Sequence, residues 1–262
     1  MGKSSSNHTV QDRFKHSGET VSRHFERVLN VIYKLSFDYV HLPLSSSPSE
    51  IRKKSIYYLF FKNCIGAIDG THIHVSIGVE EQAPQWNRKG FLLQNVIVAC
   101  SFELRFEYVL VGWERSSSNS SVLKAVLKSN FKVPRGHDKY YLVDVGYANT
   151  QNFIAPFRGN VIERAFGLLN KRFPLLKVAT IYPYETQVKI VVVACTLLSH
   201  IRTIIDGDDW LCEEYDRDLT RGSLKGTNIQ HNDVNPQVDK NDGDELRDLV
   251  AKALWDDDCA HY

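Results

Sequence analysis

Residues 63–72, NCIGAIDGTH, decide the fold of this chain. An apolar run leads to Asp69, and Gly70 follows at once. The pattern predicts a buried strand that brings a carboxylate to the edge of a sheet, where the glycine lets the backbone turn or approach a ligand. A second copy of the pattern, YYLVDVGY at residues 140–147, carries Asp144 in the same way.

A third acidic residue lies in a different setting. Residues 160–169, NVIERAFGLL, predict a helix that carries Glu163. A lone aspartate at the end of a strand is usually a turn former or a helix cap. Three carboxylates on separate elements are instead the donors that a two-metal phosphoryl-transfer site needs, because Mg²⁺ and Mn²⁺ prefer carboxylate oxygen.

Composition narrows the class of protein. The chain has 262 residues, of which 43% are apolar, so one large domain can bury a sizeable core. No apolar run reaches the ~18 residues of a membrane span, and the N-terminus has no apolar signal region. Five scattered cysteines without a Cys-x-x-Cys pair predict reduced thiols. We therefore expect an intracellular protein that does not associate with membranes.

The net charge of +1 hides an asymmetry. Residues 206–262 hold 16 acidic and 6 basic side chains, a balance of −10, whereas the preceding residues carry +11. A basic body with an acidic tail is typical of a nucleic-acid binder whose tail shields or regulates it. A tail that only improves solubility explains the charge equally well.

Near the N-terminus, residues 16–20 open a predicted helix. Its apolar positions recur at helical spacing and form one stripe: they are Val21, Phe25, Val28, Leu29, Ile32 and Tyr33. The helix is either the last one of a helix-turn-helix motif on DNA or a scaffold helix packed on the catalytic domain. The scaffold is favoured, because nothing upstream supplies the rest of the motif.

The order of predicted elements indicates the fold. A strand with Asp69 and a short strand at 73–77 precede a hairpin of residues 95–100 and 108–113. A helix near 122–127, the Asp144 strand, the Glu163 helix and a long core helix at 185–205 follow. This order matches an α/β, ribonuclease-H-like mixed sheet flanked by helices. The predicted units are residues 1–50 (helical segment and linker), 51–205 (nuclease domain) and 206–262 (acidic tail with a terminal helix).

Several motifs in this order resemble the PIF/Harbinger transposases and the nuclease-like proteins derived from them. The motifs include HSGETVSRHF, CIGAIDGTHI, NRKGFLLQNVIVAC, YYLVDVGY, FIAPFRG, NVIERAFGLLNKRFPLL and, near the C-terminus, LRDLVAKALW. The resemblance implies a ribonuclease-H-like DDE domain with Asp69, Asp144 and Glu163 as the metal-binding catalytic triad. It also implies Mg²⁺ or Mn²⁺ as cofactor, DNA as substrate, a nuclear location and a Myb-like DNA-binding partner.

Basic residues near the motifs are predicted to contact DNA phosphates. These are Arg88, Lys89, Arg164, Lys171 and Arg172. Alternatively, they only balance the charge of a carboxylate site. His72 and His74, on one face of an extended segment, are interpreted as polar neighbours of the site.

The chain departs from the pattern of the family it resembles. Only 18 residues separate Asp144 from Glu163, where the family has a longer segment. Arg158 lies five residues before the glutamate instead of four, Asn170 replaces a lysine, and Asn119 replaces an aspartate. These departures leave two hypotheses: a metal-dependent DNA nuclease, or a non-catalytic descendant that binds DNA or a protein.

Overall fold

The computed structural model describes residues 7–42, 51, 58, 61–76, 93–113, 126, 131, 133, 139–143, 150–155, 161–205 and 210–220. Helices span Asn7–Phe14 (α1), Gly18–Tyr39 (α2), Val161–Arg172 (α3), Tyr184–Ile204 (α4) and Trp210–Thr220 (α5), with a 3₁₀ turn at Pro174–Lys177. Strands span Cys64–His74 (β1), Leu93–Cys100 (β2), Phe106–Trp113 (β3), Tyr140–Val143 (β4) and Phe153–Ile154 (β5).

The described strands form one mixed sheet in the order β3-β2-β1-β4-β5. β2 runs antiparallel to both β1 and β3, whereas β4 and β5 run parallel to β1. The predicted hairpin is β2 and β3, and β2 is buried along its whole length. The predicted α/β class, with a mixed sheet flanked by helices, is confirmed and is consistent with a ribonuclease-H-like fold.

β1 is longer than the sequence pattern suggested. It continues through Asp69 and Gly70 to His74, and Gly70 pairs with Ile97 of β2. The prediction of a separate short strand at residues 73–77 is therefore wrong. Of the two roles predicted for Gly70, a turn or a close approach to a ligand, the turn is excluded. The cause is β2, whose backbone hydrogen bonds hold this part of β1 extended even though a glycine costs conformational entropy there.

Two apolar clusters cover the two faces of the sheet. Alternate residues of β1 divide between them, with Ala67 on one face and Ile68 on the other. α3 and α4 bury their apolar sides on the Ala67 face, and α2 adds Leu29 to the same cluster. Val126 and Phe131 lie in the cluster on the Ile68 face, and most of the predicted 122–127 helix is outside the described residues.

α2 is a scaffold helix, as its sequence favoured. Ser17 caps its N-terminus, with the side-chain oxygen accepting a hydrogen bond from the Thr20 amide. The helix packs on α4, and Phe25 stacks on Tyr182 with ring centroids 5.1 Å apart. Val28 is the exception within the predicted stripe, because it is exposed rather than buried.

Polar side chains of α4 form hydrogen bonds with the backbone just after β1 and at the start of β3. Gln187 accepts a hydrogen bond from the Ser76 amide (3.1 Å) and donates to the Ser76 carbonyl (2.6 Å), which fixes the end of β1. Ser199 accepts a hydrogen bond from the Phe106 amide (2.8 Å) at the start of β3.

By length and composition α4 could cross a membrane, but half of its most apolar window is buried inside this fold. Its contacts are those of a core helix.

The described cysteines are buried free thiols: Cys64, Cys100, Cys195 and Cys212. Burial raises the pKa of the Cys64 thiol to about 12, so it stays protonated at neutral pH. The prediction of reduced thiols agrees with these four residues. Cys259 lies outside the described part of the chain.

Gly66 lies where Cys100 and Tyr141 leave no room for a side chain. A Cβ atom there would meet the Cys100 carbonyl oxygen, and it would lie 3.3 Å from a ring carbon of Tyr141. The backbone of β2 and a fully buried ring cannot both move aside. We therefore expect Gly66→Ala to lower the free energy of unfolding by about 1–3 kcal/mol, measured by urea denaturation.

Gly18→Ala is the matched control for this substitution. Its Cβ would meet only the end of the flexible Gln11 side chain, so we expect nearly unchanged stability. Equal stability of Gly66→Ala and the wild-type protein would contradict the close approach.

Glu107 on β3 carries a mostly buried carboxyl group. Its Oε2 atom has no hydrogen-bond partner within the described residues. Burial raises the pKa of this carboxyl to about 8, although the nearby Arg105 opposes the shift. In the unfolded chain the same group releases its proton near its ordinary value of 4.5.

The folded state therefore binds this proton over a pH range in which the unfolded state has lost it. The contribution to stability is present below about pH 4.5 and is lost as the pH rises to about 8. We expect wild-type protein to lose roughly 2–4 kcal/mol of unfolding free energy between these limits, relative to Glu107→Gln. Urea denaturation at pH 5 and pH 8.5 measures this difference, and the exposed Glu26→Gln is the control. Parallel pH profiles for wild type and Glu107→Gln would show that the carboxyl titrates normally.

Candidate functional site

Asp69 directly follows Ile68, the last residue of β1 whose pairing is described on both sides. On one side it faces Val98 of β2, and that pairing continues to His74. On the other side the described pairing with β4 ends at Ile68 and Val143. Asp69 is half-buried, whereas the five residues before it are buried. The Gly70 amide donates a hydrogen bond to Asp69 Oδ1 (2.6 Å), which orients the carboxylate.

The alternation of β1 decides which helix can share a site with Asp69. Asp69 lies on the same face as Ala67, since the two residues are two positions apart in a continuous strand. That face belongs to the apolar cluster to which α3 contributes, and α3 contacts β1 and β2 directly. The Asp69 side of the sheet is thus the side that α3 covers.

Glu163 lies in the first turn of α3 and is exposed. The helix turns its apolar side to the core, and this side comprises Ile162, Ala165, Phe166, Leu168 and Leu169. Glu163 falls outside that side, and the positive end of the helix dipole favours a carboxylate at this position. The predicted limits of the helix are confirmed, because it ends at Arg172, directly before Phe173 and Pro174.

The second aspartate of the predicted triad, Asp144, lies outside the described residues. Val143, the residue before it, ends β4 and pairs with Ile68, the residue before Asp69. Among the described residues, no group of three His, Cys, Asp or Glu side chains is close enough to hold a metal ion. Since the triad includes Asp144, it stays a prediction.

Of the five basic residues predicted to contact DNA, three lie in the described part of the chain. Arg88 and Lys89 lie outside the described part of the chain, whereas Arg164, Lys171 and Arg172 are half-buried on α3. Lys171 forms an ion pair with Glu214 of α5, with 3.3 Å between Nζ and Oε1. Their contacts with DNA remain predictions.

α5 is the element that the sequence did not reveal. Its segment was interpreted only as the start of an acidic tail, yet Leu211 and Cys212 are buried in the core. The Tyr215 ring lies directly on Gly167 of α3, where no Cβ would fit. Leu211, Cys212 and Tyr215 are spaced i, i+1 and i+4, a short helical signal that the surrounding acidic residues obscure.

His72 and His74 are both exposed on β1. They alternate with Asp69, so they point to the opposite face of the sheet. The interpretation that they are neighbours of the Asp69 carboxylate is therefore not supported by the strand geometry.

Comparisons with known proteins give a distant relationship. The rat (Rattus norvegicus) protein named "Putative nuclease HARBI1" is 25% identical over 203 residues, which are 69% of this chain and 58% of that protein. The family described as "Domain of unknown function (DUF8040)" matches residues 1–34, which include α1 and most of α2. No solved structure matches the chain.

The rat protein supports, at this distance, the resemblance to Harbinger-derived nucleases. The chain spans 58% of the length of that relative, so the activity of the whole relative does not pass to it directly.

Proposed function

We propose that this chain is a divalent-metal-dependent nuclease that hydrolyses phosphodiester bonds in DNA. One observation carries the proposal: Val143 of β4 pairs with Ile68, the residue before Asp69, on a sheet whose Asp69 face is covered by the helix with Glu163. Asp69 and Glu163 lie on two of these elements, and Asp144 follows Val143 in the sequence.

The pairing of Ile68 with Val143 brings the residues before Asp69 and Asp144 together. Paired strands are about 4.8 Å apart. Asp69 and Asp144 are the next residues of the two segments in the sequence. Leu142, two residues before Asp144, lies in the apolar cluster of the Asp69 face.

The donor chemistry fits a divalent hard cation. Asp69 and Glu163 offer carboxylate oxygens, and the Gly70 amide holds one Asp69 oxygen in place. When bound, a pair of Mg²⁺ or Mn²⁺ ions activates the attacking water and stabilises charge on the leaving oxygen. The protein's own contribution is to hold the three carboxylates on a rigid sheet and helix and to orient the DNA backbone beside them.

A second function is a non-catalytic protein that keeps the fold and binds a partner. The observation that favours it is an apolar row on α2, where Val28, Val31 and Leu35 are exposed at i, i+3 and i+7. The 18-residue connection between Asp144 and Glu163 also leaves less support around the site than the family it resembles has. A Myb-like DNA-binding partner and a nuclear location are part of both proposals and rest on the resemblance.

Nicking of supercoiled plasmid DNA distinguishes the two functions. We expect wild-type protein to nick in Mg²⁺ or Mn²⁺ and to stop when EDTA is added. Asp69→Asn and Glu163→Gln should each lower the rate by about 100-fold or more, since loss of a metal ligand exceeds the 10–100-fold effect of its supporting residues.

Glu185→Gln is the matched control for Glu163→Gln. Glu185 is also an exposed glutamate in the first turn of a helix, α4, so the same change of charge should leave nicking intact. Absence of metal-dependent nicking, or equal nicking by wild type and Glu163→Gln, would refute the nuclease and leave the binding protein.

A further inference from the structure

One side of α3 runs from Glu163 towards Lys171. Gly167 lies four residues after Glu163, and Lys171 lies eight residues after Glu163. All three residues therefore fall within about 80° around the helix axis. Lys171 is about 12 Å further along the helix. B-form DNA rises about 3.4 Å per nucleotide in each strand, so this distance spans three to four nucleotides.

In the free protein α5 occupies this side of α3. The Tyr215 ring covers Gly167, and Glu214 forms its ion pair with Lys171 at 3.3 Å. The carboxylate of Glu214 thus stands where a phosphate oxygen would contact the lysine.

The position of α5 does not depend on that ion pair. Leu211 and Cys212 are buried in the core, and Arg202 of α4 donates a hydrogen bond to Cys212 Sγ (3.5 Å). The first turn of α5 is therefore fixed, and it carries Glu214 to Lys171 as a consequence of packing.

The ion pair itself is weak enough to exchange. The side chains of Lys171 and Glu214 are 24% and 41% exposed. Ion pairs of this exposure contribute little to stability, because water and salt screen them. A phosphate can replace Glu214 by a change of side-chain rotamer, with α5 still packed.

We infer that Glu214 is an internal competitor of the nucleic-acid backbone for Lys171, so that α5 limits the DNA affinity of the α3 surface. This inference rests on the proposal that DNA is the substrate. The occupant that Glu214 excludes is a phosphodiester group, and removal of the Glu214 charge takes away one competitor for Lys171.

Fluorescence anisotropy with a labelled DNA duplex tests the competition in the full-length chain. EDTA in the buffer prevents cleavage, so binding is measured apart from catalysis. We expect Glu214→Gln to tighten binding about three- to tenfold at moderate salt. Its plot of log affinity against log salt should be steeper than that of wild type by about 0.9, which is the value of one added phosphate contact.

Glu213→Gln is the matched control, because it removes the same charge from the adjacent exposed residue of α5. We expect it to keep the wild-type salt slope. Lys171→Gln should weaken binding, and in that background Glu214→Gln should have no further effect on the slope.

Two outcomes would overturn the inference. One is the same affinity gain and slope for Glu213→Gln and Glu214→Gln, which would show a general effect of charge. The other is an unchanged affinity for Glu214→Gln, including the case in which no variant binds DNA. Failure of the nuclease is a separate result, because it appears as absent nicking while the binding pattern persists.

Discussion

The candidate site depends on the pairing of β1 with β2. The two strands pair from Ala67 to His74, which holds Asp69 in a rigid extended backbone. On the other side of β1 the described pairing with β4 covers Cys64 to Ile68, and the Asp69 side chain is half-buried. A rigid backbone and an accessible side chain are both needed to hold a ligand in a fixed geometry.

The same region shows how little chain supports the site. Nine residues connect the end of β4 at Val143 to Phe153 of β5, fewer than the dozen or more of an ordinary parallel crossover. Two hydrogen bonds of Asn152 secure this short return: its side chain donates to the Lys139 carbonyl (2.8 Å), and its carbonyl accepts from the Tyr141 amide (2.9 Å). Only six residues separate Ile154 from the start of α3 at Val161. The described contacts that position Glu163 are those of α3 packed on the sheet.

The sequence predicted well those elements whose own residues determine them. The Glu163 helix, the long core helix and the β2–β3 hairpin follow from apolar periodicity and turn residues within each segment. It failed where a distant segment decides. Gly70 is extended because Ile97 pairs with it. Val28 belongs to the predicted apolar stripe and is nevertheless exposed, although α2 packs on α4.

For the candidate site, the two described carboxylates lie on the predicted kinds of element, a strand and the start of a helix. Their surroundings were not predictable, because the face that Asp69 shares follows from the register of the sheet. A one-residue shift in register would have exchanged the faces of Asp69 and His72. Local sequence does not encode that register; the fit of Gly66 beneath Cys100 and Tyr141 helps to fix it.

α5 shows where part of the acidic C-terminal segment lies relative to the basic body of the chain. Sequence alone assigns residues 206–262 to a tail that either shields a basic body or only improves solubility. Leu211 and Cys212 make the start of this segment part of the core, so its acidic residues do not all extend into solvent. Glu214 meets Lys171, and Tyr215 meets Gly167, on the helix that carries Glu163. The packing that buries Leu211 and Cys212 of α5 therefore also places the carboxylate of Glu214 on Lys171. Lys171 is a basic residue of α3, the helix that carries Glu163.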